Sequence, residues 1–427
     1  MKTQFLRTSI VALLLLSFAS QSQSVFAQGV LLRSFGAVNE SVGSVATGMP
    51  LDAGGALYWN PASISALEKN EMSIGLGIIL PETNVKSSVI DPLGNTLYSG
   101  STTGSAGSVP VPTMSFVWRR CPKSPVTFGL GMGAVGGAAS LYAADTPGSF
   151  NPVLGGRSKS ATVVVLQLTP TVSYQVTDKL SIGAAPLIDL ASLQINPMQL
   201  GQPLGATNEI HNYGTRYAWG GGFQIGAFYD FKNHFKVGFM YKSPIWAEPL
   251  SFEGTTVGTG APVSGSFELD LPTTLSMGFS YDGFKNTVFG MDFRYIDYGH
   301  AQGFKQGVDT NGIVKGLDWE SVFSIAIGVE RTINQKLKVR MGYVWNENPI
   351  PDRSAALNVA APLMMKHTLS LGATYIIQKN LEFTLAYSHV FEEKSTGSFP
   401  TGNALLTGSV TNTAYADAIM AGISKKW

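Results

Sequence analysis

The side chains that usually perform hydrolysis are few in this chain and unsuitably placed. The sequence has five histidines and a single cysteine, Cys121, so no intrachain disulfide can form. A catalytic serine needs a histidine within hydrogen-bond reach, and Ser388 and His389 are adjacent in an alternating segment. Neighbouring residues of a strand point to opposite faces, so these two side chains cannot form a dyad. The sequence predicts a protein that is not an enzyme, with no cofactor and no metal site.

The composition favours a chain that is rich in strands and poor in surface charge. Charged residues make up 13% of it, about half of the quarter that is usual in soluble domains. Glycine occurs 48 times and aromatic residues make up 11%, which suits many strands joined by tight turns. The formal net charge is +1, which argues against the basic surface that a nucleic-acid partner requires.

Residues 1–27 have the pattern of an export signal. Lys2 and Arg7 precede the apolar run IVALLLLSFA, and Val25-Phe26-Ala27 resembles a cleavage site. The alternative is a transmembrane helix, but the run is shorter than the roughly 20 apolar residues that span a bilayer. We therefore expect a signal peptide at 1–27 and a mature chain that begins at Gln28.

The rest of the chain contains segments that are apolar on one face only. Leu337, Val339 and Met341, for example, alternate with Lys338 and Arg340. Period two places the two sets on opposite faces of a strand. Such segments run for about ten residues, the length that crosses a membrane in a tilted strand. Aromatic residues bound several of them, as in an interfacial girdle: Tyr217 and Trp219, Tyr295 and Tyr298, and Tyr343 and Trp345.

The connections between these segments differ strongly in length. Those at 232–234 and 378–380 are short, whereas those at 81–111 and 299–318 are long. Short periplasmic turns opposite long external loops are typical of outer-membrane barrels. A secreted soluble β-protein is the alternative, but closure into a barrel removes the exposed strand edges. We predict an all-β fold, a transmembrane antiparallel β-barrel of about 14 strands at 71–427 in the outer membrane of a Gram-negative cell.

A set of motifs covers nearly all of the predicted mature chain. The most specific is Asn60-Pro61-Ala62 within LYWNPASIS, followed by VRMGYVWNENPIPD at 339–352. YKSPIWAEPLSFEG at 241–254 and LDLPTTLSMGFSYD at 269–282 lie between them. In this order and spacing the motifs resemble those of the long-chain fatty acid transporter (FadL) family of outer-membrane proteins, which includes aromatic-hydrocarbon uptake porins.

The resemblance implies that residues 28–70 fold inside the barrel as a hatch. A barrel of about 14 strands has a lumen that its own side chains do not fill, and GGALYWNPAS at 54–63 is too apolar for a solvated linker. Asn60, Pro61 and Ala62 are the predicted hatch motif. The alternative is an N-terminal extension that lies outside the wall.

The resemblance also implies a kink in the third strand that opens the wall laterally toward the membrane. That strand reads VTFGLGMGAVGGAAS at 126–140, and glycines in a strand weaken its pairing and permit a bulge. Gly136 and Gly137 are the predicted kink and lateral opening. The alternative is that these small residues only make room for the hatch.

Ligand contacts follow from side-chain chemistry. A fatty acid carboxylate favours Arg or Lys, and the lumen-facing and loop candidates include both. The better-known fatty-acid members of the family place a basic contact in the region that reads LQINPMQLGQPLGATNE at 193–209 here, which lacks Arg and Lys. Apolar side chains of that region suit a pocket for either ligand class. The predicted ligand-binding residues are Met198, Leu200, Leu204, Arg294, Lys315 and Arg340.

These features predict passive uptake of a hydrophobic small molecule, with a long-chain fatty acid first and an aromatic hydrocarbon as the alternative. The expected partners are this ligand, outer-membrane lipid and lipopolysaccharide, and we expect a monomer that binds no nucleic acid. A general diffusion porin would need a wet, charged lumen, whereas the inward faces here are rich in Gly, Ala and Ser. The long loops are also compatible with a role as an adhesin or phage receptor.

Overall fold

Antiparallel strands form the wall of a closed barrel in the computed structural model of the chain. The structure describes residues 28–144, 150–197, 210–212, 216–256 and 259–427. In chain order the strands are β1 (Glu71–Ile90), β2 (Thr96–Thr103), β3 (Val109–Trp118), β4 (Val126–Tyr142), β5 (Lys159–Gln175), β6 (Leu180–Asn196), β7 (Ile210–Asn212), β8 (Arg216–Asp230), β9 (Phe235–Lys242), β10 (Trp246–Ala247), β11 (Leu250–Thr256), β12 (Pro262–Phe267), β13 (Thr274–Phe284), β14 (Thr287–Ile296), β15 (Val322–Asn334), β16 (Leu337–Asn346), β17 (His367–Gln378), β18 (Leu381–Phe399) and β19 (Thr407–Lys426).

Fourteen of these strands make up the wall, which confirms the predicted barrel. The ring closes because β1 pairs with β19 along its whole length, from Glu71 opposite Lys426 to Ile90 opposite Thr407. Elsewhere in the ring, β8 pairs with β9. The strands β2, β7, β10, β11 and β12 lie outside the wall, in the long connections.

The two faces of the wall differ as period two predicts. On β1, Ile74, Leu76 and Ile78 point outward and are 56%, 53% and 43% exposed. The alternate positions Gly75 and Gly77 face the lumen, where they are half-buried and buried. Exposed large apolar side chains recur on the outer face of the other wall strands. An apolar belt of this kind is the surface that membrane hydrocarbon covers.

The two ends of the barrel differ in their connections. At the turn end, β15 and β16 are joined by 335–336, and β17 and β18 by 379–380. At the loop end the connections carry structure of their own, such as the small sheet β12–β11–β7 and the hairpin of β2 with the outer part of β1. Sequence periodicity did not predict these loop strands, because they are short and depend on contacts distant in the chain.

The segment at 28–70, here called the hatch, fills the lumen. It contains helices α1 (Ala37–Ser41) and α2 (Ala53–Trp59), followed by a 3-10 turn at Ser63–Ala66. The Asp52 side chain caps α2 by accepting the Gly55 N–H at 3.2 Å. Every residue of both helices is buried. Within the described ranges no helix is long and apolar enough to cross a membrane.

Lumen-facing glycines let the hatch backbone touch the wall. A side chain at Gly238 on β9 would overlap the Thr47 carbonyl, and one at Gly342 on β16 would overlap Val42. One at Gly226 on β8 would overlap the Asn60 side chain. The lumen-facing side chains of the wall are therefore small where the hatch lies, which explains the small residues noted in the sequence.

The predicted aromatic girdle needs one correction. Tyr217 and Trp219 are well exposed on the outer wall, at 72% and 55%. Tyr298, expected beside Tyr295 in the same belt, is completely buried instead. It lies beyond the end of β14 in a 3-10 turn, where strand alternation no longer applies, and its ring points into the barrel mouth against Phe304 and Trp319.

Candidate functional site

The Asn-Pro-Ala motif joins two parts of the hatch to the wall. The Asn60 side-chain amide donates to the carbonyl oxygens of Thr47 at 2.9 Å and of Ala227 on β8 at 3.0 Å. Its oxygen accepts the Ala62 N–H at 3.1 Å. Pro61 packs with Ala62 against Gly183 on β6, which has no side chain to block them. The motif thus fixes the end of α2 against neighbouring wall strands.

A buried ion pair on β14 also binds the hatch, three strands away from β8 in the ring. Asp292 on β14 accepts the backbone N–H groups of Ala46 and Thr47 at 2.9 and 3.0 Å. Arg294 donates to Asp292 at 2.9 Å and to the Ser44 hydroxyl and carbonyl at 2.8 and 2.6 Å. The guanidinium also lies 3.5 Å from the ring centre of Trp59, a favourable cation–π geometry.

The wall is incomplete between β3 and β4. These strands pair only from Thr113 opposite Gly133 to Trp118 opposite Phe128. Residues 109–112 of β3 remain paired with β1 alone. Residues two apart direct their N–H groups to the same neighbour, so Pro110 and Pro112 both remove donors from one edge of β3. Above Gly133 the facing edge of β4 therefore has no wall partner.

The predicted kink residues lie at this gap. The register between β4 and β5 shifts between Ala134 and Gly136, which marks a bulge. Beyond it the hatch takes the place of β3: Leu32 donates to the Val135 carbonyl at 2.9 Å and Gly137 donates to Val30 at 3.0 Å. Gly129, lower on β4, instead makes room for a hatch side chain, Leu57. One strand thus carries a bulge next to Gly136 and a glycine that makes room for the hatch.

An apolar cavity lies beneath the loops at the barrel mouth. This loop pocket has a volume of about 70 Å³ and is lined by Val30, Val163, Phe267, Leu269, Phe304 and Trp319, among other residues. No charged side chain lines it within the described part of the chain. The loops that cover this pocket, here called its roof, are joined by a hydrogen bond from the Trp319 indole N–H to the Asn358 side chain at 2.7 Å.

An ion pair at the surface ties the loops that form this roof. Arg353 donates to both carboxylate oxygens of Asp318, at 2.8 and 3.2 Å, and to Glu320 at 2.7 Å. The hydrogen bonds to Asp318 and then Glu320 raise the pKa of Arg353 above its ordinary value. The charged form of Arg353 is thereby favoured, which supports this contact between the loops.

A second cavity connects the lumen with the gap in the wall. This wall pocket has a volume of about 120 Å³ and is lined by Leu31, Ile79, Gly136, Gly137 and Met420, among other residues. Its lining includes Val164, whose side chain is 38% exposed on the outer face. Ala138, Ala360, Ala361 and Leu363 border both pockets. The two cavities are therefore adjacent, and the second reaches the outside of the barrel.

Charge in the wall pocket is confined to one ion pair of the hatch. Arg33 donates to Glu40 at 2.6 Å and to the Ser388 hydroxyl at 2.6 Å. The Ser34 hydroxyl donates to the same carboxylate. Arg33 and Glu40 are the only charged residues that line this pocket among the described residues. The lining carries no net charge, because the two groups neutralise each other.

The predicted ligand-binding residues are not gathered at these pockets. Arg294 is fastened to the hatch, and Arg340 is buried in contact with Glu330 and Thr374, both at 2.7 Å. Lys315 lies 3.8 Å from Asp309 in a loop, with a half-exposed side chain. None of the three lines either pocket. Met198, Leu200 and Leu204 lie outside the described residues.

Sequence reasoning missed the residues that shape the gap. The alternate prolines in VPVPTM at 109–114 were a readable signal of a broken ladder. The edge contacts of Val30 and Leu32 were not readable, because they join residues about a hundred positions apart. Tyr298, which donates to the Gln28 carbonyl at 2.6 Å, was assigned to the outer girdle. Burial raises the pKa of this hydroxyl, so it stays protonated and able to donate.

A closed barrel with an apolar outer belt, a filled lumen and apolar cavities that reach a gap in the wall defines an outer-membrane transport barrel for hydrophobic compounds. The chain belongs to the outer membrane protein transport protein family (OMPP1/FadL/TodX), whose model matches residues 18–426. This confirms the resemblance read from the motifs, the outer-membrane location and the prediction that the protein is not an enzyme.

The relatives of the chain are named for two kinds of cargo. The long-chain fatty acid transport protein of Escherichia coli K12 is 22% identical, with 91% of this chain and 92% of that protein covered. The crystal structure of the Pseudomonas putida toluene transporter TodX superposes with a TM-score of 0.70 at 20% identity, covering 93% and 99% of the two chains. A Pseudomonas aeruginosa FadL homologue gives a TM-score of 0.70 at 15% identity, with the same coverage. At these sequence identities, the structural similarity establishes a shared fold and not a shared ligand.

Proposed function

We propose that this protein lets hydrophobic compounds pass from the loop pocket to the wall pocket and then sideways into the membrane. The adjacency of the two cavities and the edge of β4 that lacks a wall partner support this route. The step between the pockets requires a shift of the hatch residues 30–32, which hydrogen-bond to β4 there. Transport is passive, because a concentration gradient or consumption inside the cell suffices to drive it. The kink at Gly136 and Gly137 is the proposed exit.

The same proposal divides the chain into a signal peptide at 1–27, the hatch at 28–70 and the barrel at 71–427. The segment before Gln28 would have to leave the lumen or be removed, since Gln28 is buried and borders the wall pocket. Removal by a signal peptidase accounts for both the pattern at Val25-Phe26-Ala27 and this burial.

An uncharged hydrocarbon is the ligand class that the pocket chemistry supports best. The observation that carries this choice is the absence of an unpaired cation from both linings within the described residues. A carboxylate leaving water would need such a partner. A dry apolar cavity of roughly 150 Å³ is known to hold benzene in another protein, so the wall pocket suits a ligand of that size. This order differs from the one suggested by the sequence, which placed fatty acids first.

A long-chain fatty acid is the second candidate, because the curated relative that covers 91% of this chain carries that name. Arg33 is the one cation that borders the wall pocket in the described structure, and a carboxylate would have to compete with Glu40 for it.

An uptake assay separates the two ligand classes. Cells that lack their own uptake barrels and express this protein would be given labelled toluene or labelled oleate, with empty-vector cells as the control. We expect faster entry of toluene and no gain for oleate. Faster entry of oleate alone would show that the ligand is a fatty acid and not a hydrocarbon. No faster entry of either compound would contradict the proposed function.

A further inference from the structure

Gln28 lies in an unusual position for the first residue of a mature chain. It is 3% exposed and borders the wall pocket. Its side-chain amide donates to the Ser324 hydroxyl at 3.3 Å, a long hydrogen bond, while its main-chain carbonyl accepts from Tyr298 at 2.6 Å. The side-chain oxygen is buried and has no hydrogen-bond partner. The side-chain NH₂ group, which the modification proposed below would remove, is therefore only weakly bound here.

Signal removal after Ala27 would create a second problem at the same place. A free α-amino group has a pKa of about 7.7–8.0 and is mostly charged at neutral pH, and burying an unpaired charge is strongly unfavourable. The one carboxylate that lines the wall pocket among the described residues, Glu40, is already paired with Arg33. The register neighbour of Ser324 on β14 is a cation, Arg294. A charged amino terminus would thus lack an available counter-ion.

We propose that Gln28 becomes pyroglutamate after the signal peptide is removed. The α-amino nitrogen attacks the side-chain amide carbon Cδ, so that an N–Cδ bond forms and the Cδ–Nε2 bond breaks. Ammonia leaves with the proton that the attacking amine gives up, and nothing is oxidised or reduced. The product is an uncharged lactam that requires no co-reactant. A glutamine at this position is the one residue type whose side chain allows this loss of ammonia.

The modification matches the surroundings of the residue. The main-chain carbonyl that accepts from Tyr298 is retained. The charged amine and the weakly bonded side-chain NH₂ group are both eliminated. The hatch segment between the two apolar pockets would then end without charge. This inference rests on the proposed cleavage site and is independent of which ligand is carried.

The test is the mass of the mature amino terminus. Protein extracted from outer membranes would be measured intact immediately after purification, and then as the tryptic peptide that ends at Arg33. We expect a mass lower than that of the chain 28–427 by one ammonia, and resistance to Edman degradation until pyroglutamate aminopeptidase is added. The variant Gln28→Ala, processed in parallel, should show no such loss.

A control excludes cyclisation during handling. An isotope-labelled synthetic peptide QGVLLR, distinguishable by mass from the tryptic peptide of the protein and added at the start of the purification, should remain largely open when the protein is already closed. An intact mature protein that retains an open Gln28 would overturn the inference. A mature chain that begins at another residue would overturn it as well, and would also disprove the cleavage site while leaving the uptake assay unaffected. Closure of the added peptide to the same extent as the protein would assign the modification to handling and reject it.

Discussion

Arg294 on β14 lies fully buried against the hatch, where its two terminal nitrogens donate to Ser44 and Asp292. Asp292 in turn accepts two backbone N–H groups of the hatch. Sequence alternation correctly placed Arg294 on the inward face, but it gave no sign that its partner would be a segment about 250 residues earlier. An inward arginine can donate to a ligand carboxylate or to a hatch carbonyl, and the alternation pattern does not distinguish these two partners.

Replacing Arg294 by Met should loosen the hatch. The change leaves Asp292 buried without its cation, which typically costs about 3–5 kcal/mol, and it also removes the hydrogen bonds from Arg294 to Ser44 of the hatch. We expect polar solutes to leak through the variant in a liposome-swelling assay. The matched control is Arg331→Met on β15, an arginine with an exposed side chain, which should remain tight. A variant at Arg294 as tight as the wild type would show that this ion pair does not retain the hatch.

At the scale of single elements, β4 combines two uses of glycine that the sequence alone did not separate. Its inward Gly129 admits Leu57 of the hatch, whereas Gly136 follows the bulge and borders the wall pocket. The alternation of apolar and polar residues that identifies a strand indicates only the face of the sheet on which each residue lies. It does not report where pairing stops, and here pairing stops because of Pro110 and Pro112 on the adjacent strand.

Substituting Val for Gly136 should impair uptake without preventing assembly. A Cβ atom there would lie 3.3 Å from the Val165 side chain and 3.4 Å from the Val30 carbonyl oxygen, so the branched side chain fills the opening. Gly137 has more room, with the nearest atom at 3.5 Å, and its Val variant should be affected less. The measurement is the initial rate of ligand uptake, normalised to the amount of heat-modifiable barrel in the membrane.

Gly221→Val provides the control for this pair. Gly221 lies in the wall strand β8, and a Cβ there would meet no atom within 4 Å. The Gly221→Val variant therefore shows the effect of a valine in a wall strand that does not obstruct a pocket. If Gly136→Val and Gly221→Val transport equally well, the kink is not the exit.

At the scale of the whole molecule, most of the architecture followed from composition and period two. Low charge, an apolar outer face and unequal connections predicted the closed barrel, and the motif around Asn60 predicted the hatch. The strands β7, β11 and β12 did not follow, because short loop strands have little periodicity of their own. The pockets did not follow either, since their linings combine residues from the hatch, the wall and several loops.

Removing residues 28–60 should turn a closed barrel into an open one. Fourteen strands enclose a lumen wider than their own side chains fill, and the hatch occupies that space. In planar bilayers we expect negligible steady current through the wild type and a large, constant current through the deletion variant. Equal currents through the two proteins would mean that the hatch is not the barrier to ions.

The lateral route is tested most directly by locking the hatch to the wall. The hydroxyl oxygens of Thr47 in the hatch and Ser276 on β13 are 2.6 Å apart, so cysteines at these positions should be able to form a disulfide, in a background where Cys121 is replaced by Ser. Residues 30–32, which would shift on the proposed route, are not held by this disulfide. The measurement is ligand uptake before and after oxidation. The lateral route predicts equal uptake in both states, whereas uptake that is lost on oxidation and restored by a reductant would show that the ligand leaves past the hatch.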